Sequence, residues 1–174
     1  MDEKSEGLIS HALASEVIAL GKELGLTVAT AESLTAGLIG ATLAQIPGSS
    51  AVLQGGVISY SNVVKASLLG VSESLLATNG SVDGEVARQM AVGAQTSCKA
   101  SVGVSATGVA GPDPHDGKDV GTVFLGYAHG SGSGFVEYCF AGSREEIRNQ
   151  STNAALTLLL STLRSVSPQV NAAM

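Results

Sequence analysis

An α/β domain with a mostly parallel sheet and one antiparallel strand near an edge is the fold class the sequence predicts, and three observations predict it. Early in the chain, short β-prone runs alternate with segments of helical period. Two strand-like runs then flank a Gly/Ser-rich turn and lead into a long helical segment. Hydrophobic residues make up 44% of the 174 positions, yet aromatics only 3%, with no Trp. The core must therefore be built from Ala, Val, Leu and Ile, which suits helices packed on a buried sheet.

Taken in order, residues 8–24 place Leu8, Ile9, Leu13, Val17, Ile18 and Leu20 at helical spacing, with Gly21 and Gly25 loosening the end. "LTVATA" (26–31) is a short strand and "LTAGLIGATLAQI" (34–46) a helix, so Ser33 stands at a strand-to-helix junction. "AVLQGGVISY" (51–60) reads as a strand interrupted at Gly55-Gly56, followed by a short helix in "SNVVKASLLG" with Ser61 or Asn62 as its cap. The spacing predicts a helix from Asp83, its N-cap, to Lys99, and then a small-residue strand over 101–108. "VGTVFLGYA" (120–128) and "GFVEYCFAG" (134–142) form a hairpin. Ser143 and Glu146 make an S-x-x-E capping box for the last helix. Residues 165–174 have no periodic pattern and contain Pro168, so they are expected to be a disordered tail after one domain spanning 1–164.

Charge and composition narrow the function classes. The net charge is −6 and no stretch gathers Lys or Arg into a stripe, which disfavours direct nucleic-acid binding. Cys98 and Cys139 are 41 positions apart, without a CxxC or Cys/His companion, so they read as buried reduced thiols. The N-terminus is acidic with no apolar run behind it, and "AALTLLL" is far too short to span a bilayer. A soluble, cytoplasmic protein with no membrane partner is the expectation.

Three polar clusters follow predicted strands: Glu32-Ser33-x-Thr35, Tyr60-Ser61-Asn62-x-x-Lys65, and Thr107-Gly108-x-x-Gly111-Pro112. If these strands are parallel neighbours, the clusters meet at the carboxyl edge, where such sheets bind ligands. A serine at a helix N-terminus has unpaired N–H groups beside it that can hold a developing oxyanion. None of His11, His115 and His129 is evidently placed to serve as its base, whereas a desolvated Lys65 could. The alternatives are that Ser33 and Thr35 merely cap a helix and that Lys65 is a solvated helical residue. "TGVAGPDPHDG" is a weak anion signal or a surface turn; Asp113, His115, Asp116 and Asp119 match no metal-ligand spacing. Arg144 and Arg148, four apart on the last helix, could present two guanidinium groups to a phosphate or pair with Glu145, Glu146 or solvent.

The AES-x-T, YSN-x-x-K, TG-x-AGP and GSREEIRNQS motifs, in that order over residues 8–164, resemble the C-terminal domain family of competence/damage-inducible protein A, which includes stand-alone nicotinamide mononucleotide deamidases. The resemblance implies a three-layer α/β/α domain with a mixed five-stranded sheet. It implies an amidohydrolase of pyridine-nucleotide salvage that turns a nicotinamide mononucleotide and water into nicotinate mononucleotide and ammonia, without metal or organic cofactor, and that self-associates as a homo-oligomer. Carried onto this chain, Ser33 is the nucleophile, Lys65 its general base, and Tyr60 a hydroxyl holding the pair. Thr35, Asn62, Thr107, Gly108 and Gly111 would line the pocket, with Glu32 supporting it and Arg144 and Arg148 near the phosphate. The contrasting expectation, suggested by the family's name, is a catalytically silent nucleotide- or protein-binding module tied to competence or DNA damage; another small amide as substrate would share the mechanism. Larger members add an N-terminal pyrophosphatase domain, which these 174 residues are too few to supply. Leu34 and Ala36 stand where the family often has Cys and Gly, Asp83-Gly84 where it often has Ser-Glu, and "PDPHDGKDVGTV" replaces a more glycine-rich loop. The loop bears on substrate preference more than on chemistry, and Ala36 on neither strongly.

Overall fold

A computed structural model describes residues 3–166. Its helices are α1 (Glu3–Leu24), α2 (Leu38–Ala44), α3 (Asn62–Leu69), α4 (Glu73–Asn79), α5 (Gly84–Ser97) and α6 (Arg144–Ser165). Its strands are β1 (Val28–Glu32), β2 (Leu53–Ile58), β3 (Val102–Gly108), β4 (Thr122–His129) and β5 (Gly132–Cys139). They form one five-stranded sheet in the order β2-β1-β3-β4-β5. β1 pairs in parallel with both β2 and β3, and β4 runs antiparallel to β3 and β5. One strand, β4, is thus reversed, as the sequence predicts, and it lies next to an edge.

The helices cover both faces. α1, α2 and α6 pack together on one side around Val17, Ile18, Ile39, Leu43, Leu156 and Leu159. α3, α4 and α5 cover the other with Leu69, Leu76, Val86 and Met90. β1, buried at every position, carries Val, Ala and Thr because a strand with helices on both faces has no solvent side. α5 lies very close to the sheet. A Cβ added at Gly103 of β3 would meet the Ala91 carbonyl, and one at Gly126 of β4 the Ala87 carbonyl. Ser105 Oγ donates to that Ala87 carbonyl at 2.6 Å and accepts from Gly126 N at 3.1 Å, tying helix, β3 and β4 together.

Several elements differ from the sequence expectation, each for a local reason. α1 starts at Glu3, and Leu8 and Ile9, expected on its inward stripe, are 66% and 39% exposed. α2 starts four residues late because Ala36 (φ 50°) and Gly37 (φ 98°) are left-handed. β2 is not interrupted at Gly55-Gly56: it runs through, and the glycine at 56 is needed because a Cβ there would meet Thr30 Oγ1. α4 escaped the periodicity reading altogether; Ser72 caps it and Gly80 ends it. The hairpin turn shrinks to Gly130-Ser131, His129 pairing with Gly132. Cys139, at the end of edge strand β5, is exposed and Cys98 half-buried, so neither is the buried thiol expected. α6, opened by the Ser143/Glu146 box as expected, continues to Ser165, with Val166 as its C-cap. The expected disordered tail otherwise lies outside the described residues. No helix among those described is long and apolar enough to cross a membrane.

Candidate active site

Parallel register brings the ends of β2, β1 and β3 to one edge: Glu32 pairs with Ile58 on one side and with Ala106 on the other. Just past that edge Ser33 N donates to Ala106 O at 2.9 Å and Ser59 N to Glu32 O at 2.8 Å, so all three polar clusters emerge side by side. They border an open cleft of about 350 Å³, walled by Ser33, Leu34, Tyr60, Ser81, Thr107, Gly108, Gly111, His115 and Arg144.

Lys65 Nζ lies 3.1 Å from Ser33 Oγ and donates to Ser59 O at 2.7 Å. α3 delivers it: Ser61 caps the helix by accepting from Val64 N, and Lys65 then points inward, 1% exposed, with its ammonium end against the Ser33 turn. Burial pushes its pKa down to about 8, with the Asp116 carboxylate partly opposing. Because a buried ammonium lacks full hydration, about a tenth of the side chain is neutral amine at pH 7, able to take a proton from the serine.

The first turn of α2 is occupied by the protein itself. Glu32, 1% exposed, accepts from Gly37 N (2.9 Å), Ile39 N (3.1 Å) and Gly40 N (2.8 Å). The free helix amides expected beside Ser33 are therefore not free; a carboxylate satisfies them, as charge and dipole favour. Two other amides remain. Leu34 N–H and Thr35 N–H, in the turn directly after the serine, have no acceptor among the described residues. Leu34 borders the cleft, so its N–H is the donor available to an oxyanion, whereas Thr35 is fully buried behind it.

Other expected residues divide into those at the cleft and those elsewhere. Thr107, Gly108, Gly111 and Arg144 line it, and Thr107 Oγ1 donates to Ser81 O at 2.6 Å. Tyr60 also lines the mouth, but its hydroxyl, on a 60% exposed side chain, accepts from Arg144 Nη2 at 3.0 Å instead of reaching the serine and lysine. Arg144 Nη1 donates to Gly111 O at 2.7 Å, so one guanidinium joins the β2–α3 and β3–β4 loops to α6. Asn62 opens α3 on a separate groove with Val63, Ala66 and Leu76, away from the cleft. Thr35 is fully buried, its Oγ1 without a partner, and is not in the cleft wall. Arg148 binds the Leu34 and Thr35 carbonyls behind the wall.

Sequence reasoning missed Ser81, which lies in the wall and receives Asp116: the carboxylate Oδ2 accepts from Ser81 N at 2.5 Å and from Ser81 Oγ at 2.8 Å. Burial opposes ionisation of Asp116, but these hydrogen bonds prevail and hold its carboxyl below the ordinary range. Asp116 is thus a strap for the β3–β4 loop. The only sequence cue was Gly80, whose lack of a side chain admits that carboxylate. Among the described residues no three His, Cys, Asp or Glu side chains gather as a metal site.

Comparison with known proteins gives consistent matches. The model of the CinA C-terminal domain matches residues 10–163. A CinA-like protein of Frankia casuarinae is 40% identical over 153 residues, covering 88% of this chain and 35% of that protein. The chain spans about a third of the length of the curated relatives it matches. Among solved structures, the competence/damage inducible protein CihA from Agrobacterium tumefaciens is 38% identical with a TM-score of 0.86, over 90% of this chain and 96% of that one. The competence damage-inducible protein A (ComA) from Klebsiella pneumoniae is 28% identical with a TM-score of 0.87, over 91% and 99%.

Proposed function

Since the chain belongs to the CinA C-terminal domain family, we propose that it is a serine amidohydrolase that converts nicotinamide mononucleotide and water to nicotinate mononucleotide and ammonia. The observation that carries the reading is the 3.1 Å approach of a buried lysine amine to Ser33 Oγ at the open end of the sheet. A lysine kept only for solubility would be hydrated, and a serine kept only as a helix cap would accept from the helix amides, which here belong to Glu32.

Chemistry follows from that pair. Neutral Lys65 takes the proton from Ser33 as Oγ bonds to the carboxamide carbon, and the carbonyl oxygen becomes an oxyanion facing the Leu34 amide. The C–N bond then breaks as the Lys65 ammonium returns its proton to the nitrogen, releasing ammonia and leaving an acyl ester on Ser33. Water attacks this ester, Lys65 now accepting the water proton and passing it to Oγ, and the carboxylate product leaves. Arg144, whose two hydrogen bonds go to neutral oxygens, keeps an uncompensated positive charge at the cleft mouth, suited to the substrate phosphate.

Ammonia release from nicotinamide mononucleotide by the purified, metal-free chain tests the reading, with Ser33→Ala in parallel. Release that the variant loses supports it. Tight binding of the mononucleotide without any release replaces it with a silent binding module, and release only from other small amides keeps the mechanism but changes the substrate.

A further inference from the structure

Arg148 is placed by resemblance near a phosphate, yet its guanidinium grips the backbone. From α6, Nε donates to Leu34 O at 2.9 Å and Nη2 to Thr35 O at 3.1 Å. Among the described residues no carboxylate is within ion-pair distance of it. A full positive charge is committed to two consecutive neutral carbonyls of the nucleophile turn.

Peptide geometry turns that grip into a statement about the free amides. In a planar trans peptide the C=O and N–H point in opposite directions. Holding Leu34 O therefore sets the direction of the Thr35 N–H. Holding Thr35 O sets the Ala36 N–H, which donates to Ser33 O at 3.1 Å, and Ser33 O shares its peptide with the Leu34 N–H. Both unpaired donors thus stand at the far end of hydrogen-bonded peptide chains that begin on Arg148. A cation on the first carbonyl polarises each such chain and strengthens the donor at its end. The turn also needs holding, because Ala36 has a left-handed φ of 50°, a conformation that persists in a non-glycine residue only where its surroundings over-determine it.

We propose that Arg148 is a positioning residue of the Ser33 turn, whose grip on the Leu34 and Thr35 carbonyls fixes and polarises the Leu34 amide as donor for the oxyanion of acyl transfer. This rests on the hydrolase reading of Ser33 and Lys65, but it assigns Arg148 to the transition state and not to substrate binding.

The test uses Arg148→Gln and Arg148→Lys in the full chain, with thermal melts confirming that both are folded. Turnover of nicotinamide mononucleotide should show kcat reduced about 100-fold in Arg148→Gln with KM little changed, and Arg148→Lys, which can serve only one carbonyl well, in between. Labelling of Ser33 by a fluorophosphonate, which needs the same donor but no mononucleotide, should slow in the same order. In the unliganded protein, the Leu34 and Thr35 amide proton resonances should move upfield in Arg148→Gln. A raised KM at unchanged kcat, or unchanged labelling and amide resonances, overturns the proposal. Should the wild type release no ammonia, the deamidase reading fails on its own, while labelling and the amide resonances still decide the role of Arg148.

Discussion

Ser33 and Ser143 each stand between a strand and a helix with a glutamate close by in sequence, and the two sites use those groups in opposite ways. Ser143 caps its helix: Oγ accepts from Glu146 N at 3.3 Å, and Glu146 Oε2 accepts from Ser143 N at 2.7 Å. At the other junction Glu32 precedes the serine and reaches past it to the amides of residues 37, 39 and 40. Ser33 Oγ, relieved of capping, meets Lys65 instead. A serine after a strand becomes available for chemistry when another group satisfies the helix, and left-handed Ala36 and Gly37 make that reach possible.

Breaking the comparison at its reactive end gives the largest effect. Ser33→Ala and Lys65→Met should each lower the initial rate of ammonia release about 1,000-fold or more, since in the proposed mechanism the two side chains act as a unit. Lys65→Met should also melt higher than the wild type, because it removes a buried ammonium. The sign can be checked by pH: the folded pKa of about 8 lies below the ordinary 10.5, so the wild-type deficit is complete below pH 8 and closes as pH rises toward 10.5. A gap that widened over that window would contradict the burial of Lys65.

Moving the cap comes next. Glu32→Gln keeps the shape but offers one acceptor oxygen and a donor to three amides, and should cost about 2–4 kcal/mol in denaturant unfolding. Activity should fall as well, since Ser33 becomes the nearest substitute cap; full activity would mean that the carboxylate has no part in freeing the serine. Smaller again is the pH response of the intact protein. Between pH 7 and 9, kcat/KM should climb about tenfold as Lys65 loses its proton, with the inflection near 8. An inflection near 6 would point to a histidine instead. The smallest effect belongs to the structural serine: Ser143→Ala should lower the melting temperature by roughly 2–4 °C and leave turnover unchanged.

Much of this was legible in the sequence, and the rest failed for identifiable reasons. Alternation of β-prone and helical segments gave the parallel strands, and parallel neighbours necessarily send their C-terminal residues to one edge, so Ser33, Lys65 and Thr107 could be grouped without coordinates. The Ser143 box was readable because both partners lie within one turn. Glu32's role was not, because it depends on two left-handed residues that "LTAG" does not announce. Tyr60 was expected to hold the serine–lysine pair and holds Arg144, 84 positions away in sequence, instead. Arg148 lies 114 positions from Leu34; no periodicity links an arginine on a late helix to a carbonyl in an early turn. Glycines misled in the other direction: Gly56 reads as a break but is a space for Thr30.

The close seating of α5 on the sheet has a consequence for how this chain can vary. With the Ala91 carbonyl over Gly103 and the Ala87 carbonyl over Gly126, no side chain fits at either position without lifting the helix. A saturation-mutagenesis map would therefore show positions 103 and 126 as intolerant as position 33, though neither borders the cleft. Cellular abundance separates the two kinds of intolerance: replacements at 103 and 126 should deplete the protein, while Ser33 replacements should leave it plentiful and inert.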